Sequence, residues 1–455
     1  MTWNSRSGYY VHIILLFILG LAGSNLRANE SISSDRDGVI GTDFHLYDEL
    51  ERLSAEIQSL KKNLPEKPNP KKGWATPKIG GRLYFDSVNV AGQNDRAREA
   101  YGNLSNAAGL RELRLSAYGD GFDAFDYKLE VTLSPQDGKV GLFDNWIGVK
   151  NLPLLGYVRV GHHKPETGFA YTTPMPDAPL MEYVPAASAF SYGRRIGISS
   201  TNLYCRDRIR FFLGVFQEGD TMLDRYIQQD NQGQIVIMRL SALPHYADKG
   251  RELLHLGGHW SYASTENGAT VMSEAFGGFK FLGTSITTSR FDCDHYYRGG
   301  LELVYQNGPF AFQTEAFFTR YSPYRNAPGR TANGAYAELK YFLTGEHRTY
   351  DPEKGVFLSS VVHRNFHPLS RNGHRWIDGW GAWQAVLQWS YVDMGDWRTL
   401  NEKAGRQHDL TVGMNWFWTP NIRWIFEYTH SMQNIGSARA SCKEDILSTC
   451  LQLYF

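Results

Sequence analysis

From Lys78 to the last residue, apolar side chains return at every second position in stretches of about ten residues, and this alternation limits the possible fold more than any other feature of the chain. In "FDYKLEVTLS", Phe125, Tyr127, Leu129, Val131 and Leu133 alternate with Asp126, Lys128, Glu130, Thr132 and Ser134. Arg208 to Gln217 sets Ile209, Phe211, Leu213 and Val215 against Arg208, Arg210 and Gly214. Ala382 to Val392 sets Trp383, Ala385, Leu387, Trp389 and Tyr391 against Gln384, Gln388 and Ser390. A period of two means strands with one apolar and one polar face. The chain ends in the same pattern, with Leu447, Thr449, Leu451, Leu453 and Phe455 opposed to Ser448, Cys450, Gln452 and Tyr454. Its terminus is therefore expected to form part of a wall.

Such a wall can face either of two solvents. In a soluble sandwich the apolar face looks into a core; in an outer-membrane barrel it looks into lipid while the polar face lines a lumen. Strands of ~9 to 11 residues, rather than ~5 or 6, with Trp and Tyr at their ends, favour the membrane. The chain has 26 Tyr, 25 Phe and 12 Trp beside 45 Gly, a mixture suited to strands and turns. Its 42% hydrophobic content and mean hydropathy of -0.41 would also suit soluble domains, so composition alone does not decide. Beyond the N-terminal stretch, no uncharged apolar run approaches the ~20 residues of a spanning helix, which excludes a helical membrane protein.

Arg6 followed by "IILLFILGLA" (Ile13 to Ala22) reads as an export signal, with Ala28 the last residue before cleavage. The chain carries 47 basic and 47 acidic residues; losing Arg6 and Arg27 with the signal leaves 45 against 47, a net of -2, so no basic surface for nucleic acid is expected. Leu46, Leu50, Leu53, Ile57, Leu60 and Leu64 step by 4, 3, 4, 3 and 4, a heptad seam. With Leu50, Ile57 and Leu64 at a, Glu56 falls at g and Lys61 at the following e, the offset at which parallel helices exchange salt bridges. The alternative is an amphipathic helix lying on the barrel. Pro65 stops the pattern, and "PEKPNPKKG" reads as a stiff linker. Four cysteines show no metal spacing, although Cys442 and Cys450 could pair in an oxidising envelope.

Four ordered segments carry a resemblance: "YVRVGHHKPETG" (Tyr157 to Gly168), "YFLTGEHRTYDPEKGVF" (Tyr341 to Phe357), "GAWQAVLQWSYVDM" (Gly381 to Met394) and "GMNWFWTPNIRWIFEYTHS" (Gly413 to Ser431), followed by the terminal Phe455. Together they resemble the phosphate-selective porins O and P. The resemblance implies a trimeric, sixteen-stranded outer-membrane barrel that passes small anions such as phosphate through a basic pore narrowed by its third loop. One departure concerns the strand resembling the family's "GAWE...AR", where Gln384 and Gln388 stand in place of an ionic pair.

The expected fold is thus all-β, a sixteen-stranded antiparallel transmembrane barrel preceded by a short α-helical coiled coil. Its organisation is a signal peptide (1–28), a periplasmic coiled coil (29–64), a linker (65–77) and an outer-membrane barrel (78–455) closed by Leu453 and Phe455 against the first strand. An even count requires the glycine-broken "EAFGGFKFLG" (Glu274 to Gly283) to lie in an outer loop, and puts "NGP" (Asn307 to Pro309) and "TPN" (Thr419 to Asn421) on the periplasmic side. It makes 162–193, rich in proline and apolar residues, the third outer loop, folding inward or else exposed at the surface.

Strand parity places Arg114, Lys128, Arg159, Arg208, Arg210, Lys340 and Arg423 in the lumen with Glu112, Asp126, Glu130, Asp144, Glu302, Glu315, Glu338 and Glu427, a mixed wall in which salt bridges compete with solute contacts. The candidates for anion contact are Arg159, Lys164, Arg194 and Arg195 around the third loop, where four cations meet Glu166, Asp177 and Glu182, with Arg114, Lys128, Arg208, Arg210 and Lys340 elsewhere on the wall. His162 and His163 read as loop chemistry. Without a GxSxG, HExxH, P-loop or EF-hand pattern, neither a catalytic set, a metal nor a cofactor is expected. The competing readings are a general diffusion porin and a barrel that anchors the coiled coil, linking outer membrane to periplasm.

Overall fold

The computed structural model describes residues 73–133, 140–218, 233–265, 270–288, 290–323, 328–366, 379–436 and 441–455. The expected signal peptide and the heptad seam from Leu46 to Leu64 lie outside the described residues. Sixteen antiparallel strands form one closed wall. They are β1 (Lys78–Gln93), β2 (Ala107–Gly121), β3 (Phe125–Leu133), β4 (Val140–Leu152), β5 (Gly156–His163), β6 (Arg195–Tyr204), β7 (Ile209–Gln217) and β8 (Gln234–Ala247), then β9 (Glu252–Ser264), β10 (Phe291–Asn307), β11 (Phe310–Pro323), β12 (Arg330–Phe342), β13 (Ala382–Asp393), β14 (Gly405–Thr419), β15 (Ile422–Ile435) and β16 (Cys442–Tyr454). The two-residue piece Thr270–Val271 adds to the rim of β10.

Each strand pairs with its neighbours in sequence, and β16 returns to β1 in register from Arg82↔Tyr454 to Gln93↔Glu444. Phe455 then exchanges two backbone hydrogen bonds with Gly81, at 2.9 and 3.0 Å. Closure answers the physical demand of lipid, where an unpaired sheet edge leaves a row of polar groups with nothing to bond. Leu447, Leu453 and Phe455 are exposed on the outer face, whereas Cys450 and Gln452 are buried on the inner one.

The end at which β1 begins and β16 finishes has the tight connections 122–124, 153–155, 205–208, 248–251, 308–309 and 420–421, the short turns of a periplasmic side. Glu274–Phe276 pairs with Ser285–Thr287 inside the outer loop between β9 and β10, as the even count required. Two aromatic bands mark the membrane boundaries. On the periplasmic side Trp383 stacks on Trp416 at 5.0 Å, and both indole N–H groups donate to the Trp380 carbonyl. On the other side Tyr391 packs against Trp389 and His408.

Two bulges disturb the alternation at functionally placed points. In β2, Tyr84 opposes Glu112 while Phe85 opposes Leu110, so Arg111 is the extra residue. Between Leu129↔Asn145 and Val131↔Leu142, β4 sets two residues, Phe143 and Asp144, against the single Glu130, a surplus of one. A bulge lets consecutive side chains point the same way, and here Arg111 joins Glu112, and Phe143 joins Asp144, inside the barrel.

Removing Phe455 takes away the two hydrogen bonds to Gly81 and an outer aromatic group. We expect a several-fold fall in folded, heat-modifiable protein recovered from the outer membrane. Undiminished assembly would show that closure does not depend on this residue.

Candidate functional site

The lumen is crossed by two inserts. The third loop runs over 164–194, since β5 extends through His163 and β6 begins at Arg195, a shorter span than 162–193. It is pinned along the far arc of the wall. Glu315 on β11 accepts the Phe169 and Ala170 N–H groups, both at 2.7 Å. Gly168, at φ +84°, makes this approach possible, because a Cβ there would sit 2.2 Å from the Glu315 carboxylate. Arg423 donates to the Ala178 carbonyl (2.6 Å), Asn415 to that of Pro179 (2.7 Å) and Arg298 to that of Ser191 (3.2 Å), while Glu427 accepts from the Met181 N–H.

The second insert enters from the periplasmic end. Within 343–381, between β12 and β13, Arg348–Asp351 and Val356–Ser360 form a ribbon whose Tyr350, Val356 and Phe357 are buried. Phe169 of the third loop packs on Phe357 at 5.4 Å and on His255 at 5.1 Å, so the inserts meet inside the barrel. Between them remains a cavity of about 20 Å³ touched by Asp177, Lys340, Arg348 and Phe357, room for about one water.

One carboxylate ties both inserts to the wall. Glu166 receives both terminal nitrogens of Arg210 at 2.7 Å and Arg239 at 3.1 Å. The same two guanidiniums donate to the ribbon, Arg210 to the Glu353 carbonyl (2.7 Å) and Arg239 to that of Gly355 (3.0 Å). Arg239 also forks onto Glu302 at 2.9 and 2.7 Å. Burial raises the Glu166 carboxyl, but Arg210 and then Arg239 outweigh it and hold it below the ordinary glutamate value.

The open passage runs along the arc from β2 to β6. Several lumen side chains there keep some exposure, 18% for Glu112 and Asp144, 20% for Arg194 and 27% for Lys128, with Arg114 and Glu130 buried between them, against 0–3% for Arg239, Glu302, Glu338 and Lys340. Along this arc charges alternate in a ladder. Glu112 holds Arg82 and Arg114 (2.8 Å to the latter), and Glu130 holds Arg114 (3.5 Å) and Lys128 (2.9 Å). Asp144 holds Lys128 (3.2 Å) and Arg194 (2.7 Å).

The sequence-predicted cations therefore divide into groups. Arg114, Lys128 and Arg194 belong to the ladder, Arg210 to the Glu166 clamp, and Lys340 is bound by Glu338 (2.8 Å) and Gln313 (2.7 Å). Lys164 donates to the Tyr171 carbonyl (2.6 Å) and the Tyr183 hydroxyl (2.9 Å), with both rings beside it. Burial, reinforced by Arg194, pushes its ammonium well below the usual lysine value, so it staples the loop more than it charges the pore. Arg208 stands exposed in the turn before β7, at the periplasmic rim over Tyr246. Arg159 and Arg195 are half-buried in the passage, and among the described residues neither forms an ion pair.

Sequence parity missed Arg82, Asp86, Arg111, Arg239 and the ribbon. Arg111 bonds Asp86 (2.9 Å) and Glu182 (3.0 Å), a placement hidden by the bulge. Arg239 was legible, since Ile235, Ile237, Arg239 and Ser241 share one parity in β8. Gln388 donates to Glu338 (2.7 Å) and Gln384 accepts from Asn415 (3.1 Å), both on the filled side of the lumen. Cys442 and Cys450 are both free thiols on one strand, eight positions apart, beyond the reach of a disulfide.

A family model described as phosphate-selective porin O and P matches residues 79–455. An uncharacterized protein of Caulobacter vibrioides is 26% identical over 361 residues, 77% of this chain and 67% of that one. Among solved structures, a loop-deletion form of the outer membrane protein OmpT of Vibrio cholerae aligns with a TM-score of 0.51 and 11% identity over 85% of this chain and 100% of the other. An anion-selective porin from Comamonas acidovorans aligns with a TM-score of 0.51 and 10% identity, over 84% and 99%.

Glu166→Gln should loosen the clamp, because removing one partner of a buried ion pair costs ~3 to 5 kcal/mol. The expected readout is a larger and noisier single-channel conductance. Unchanged conductance would mean that the two inserts are held without it.

Proposed function

The chain belongs to the phosphate-selective porin O and P family, and we propose that this outer-membrane porin passes small solutes passively with a modest preference for anions, phosphate among them. The observation that carries the preference is the pair Arg159 and Arg195. Each charge in the neighbouring ladder, four cations and three acids, has a partner of opposite sign, so these two guanidiniums, without an ion pair among the described residues, add most to the field that a passing ion meets. At ~4 Å and an effective dielectric near 20, one such charge is worth about 4 kcal/mol to an anion, and it is screened beyond a Debye length of ~10 Å in 0.1 M salt. The preference should fade as ionic strength rises.

The near balance of the ladder favours a second reading, a general diffusion porin, and reversal potentials under a KCl gradient separate the two. We expect an anion-selective value in the unmodified protein, reduced by Arg159→Gln with Arg195→Gln and left alone by Lys443→Gln, which changes an exposed outer-wall residue. A cation-selective value would overturn the anion reading. Phosphate should also reduce the chloride current. Selectivity without that block would remove phosphate as the solute and keep the pore. A barrel serving only as an anchor would give no conductance steps at all.

Three copies assemble, in this proposal, with the Leu46, Leu50, Leu53, Ile57, Leu60 and Leu64 seam forming a parallel periplasmic coiled coil on their common axis, downstream of a cleaved signal peptide. The family resemblance and the heptad spacing support it. Leu53→Asp with Ile57→Asp should lower the oligomer's resistance to SDS, and unchanged migration on a gel would count against the helix as an assembly element.

A further inference from the structure

The open passage is lined by aromatic rings as well as by charge. Trp146 on β4 faces the lumen between Lys128 on β3 and Gly161 on β5, and Gly161 in turn faces Gly197 on β6, so on the β5 and β6 side no side chain in its row stands beside the indole. Gly161 is required there: it sits at φ +129°, and a Cβ would come within 2.4 Å of the Asn145 carbonyl. The next rows along the barrel axis carry two cations without a direct ion pair among the described residues: Arg195 opposite His163 on one side, and on the other Arg159 opposite Gly148, with Asp126 beyond it reached only through the Tyr157 hydroxyl.

The Arg159 guanidinium lies 4.4 Å from the Trp146 ring centroid and 5.3 Å from that of Tyr157. A guanidinium stacked on a ring keeps its N–H donors pointing outward in its own plane, where they can meet a carboxylate or phosphate edge. Trp146 remains half-exposed beside it. An apolar surface held open to water next to an unpaired cation does nothing for a bare inorganic ion, which gains only from the charge. It does match an anion that carries a flat apolar body.

We propose that this passage favours ring-bearing organic anions, aryl carboxylates being the simplest type, over inorganic or aliphatic anions of equal charge. The carboxylate meets Arg159 and Arg195 while the ring lies along Trp146. This deepens the anion-porin reading and rests on it.

The test compares benzoate with acetate on the unmodified channel in planar bilayers at low salt, reading the reduction of chloride current. An aromatic contact of ordinary strength predicts block by benzoate at about three- to tenfold lower concentration than by acetate. Trp146→Leu should bring the blocking concentrations of the two anions together. Equal block by benzoate and acetate in the unmodified protein would overturn the proposal even if that variant failed to assemble. A cation-selective reversal potential would instead defeat the underlying anion reading, so the two failures are distinguishable.

Discussion

The architecture depends on one constraint: in hydrocarbon every backbone N–H and C=O must find its partner within the protein. A sheet meets that demand only by closing, and the chain closes it by pairing β16 with β1, from Gln93↔Glu444 to the exchange between Phe455 and Gly81. Closure forces the two-residue period outward into lipid and inward into a lumen. The inner face must then carry polar side chains in a space too narrow to leave many of them in free water. The interior answers by pairing, so that the ladder from Arg82 to Arg194 and the clamp of Arg210 and Arg239 around Glu166 satisfy charges that would otherwise be costly to bury.

Pairing also divides the work among cations of similar sequence context. Arg194 and Arg195 are adjacent, yet the first is held by Asp144 while the second donates to a backbone carbonyl and stays without an acid. Arg159 rests on aromatic faces. Basic residues counted along the strands therefore overstate the field in the pore; what matters is which of them the fold leaves unmatched.

The wall was legible in the sequence because a strand exposes its period directly, as in Phe125 to Leu133, where Leu129 and Leu133 do face outward and Lys128 and Glu130 inward. Bulges were not legible. The surplus residues Arg111 and Phe143 break the parity two positions after Gly109 and Gly141, glycines that nothing sets apart from the many others in these strands, and the partners of Arg111 followed from that break. The ribbon escaped for a different reason. Its strands are only four and five residues long, and what holds it is a set of carbonyls met by Arg210, Arg239 and Gln306 from remote strands, contacts that no local pattern encodes.

The near-neutral plug has an electrical consequence. Between 164 and 194 the third loop carries Lys164 and Arg194 against Glu166, Asp177 and Glu182, a net of -1 that becomes -2 when the buried Lys164 is neutral. Even if two charges crossed the entire field, ~100 mV would do only about 5 kcal/mol of work on them. Breaking a single buried ion pair by losing one partner costs ~3 to 5 kcal/mol, and the loop is tied by several. Voltage across the barrel therefore has too little leverage to move the constriction, and the third loop is a fixed part of the wall.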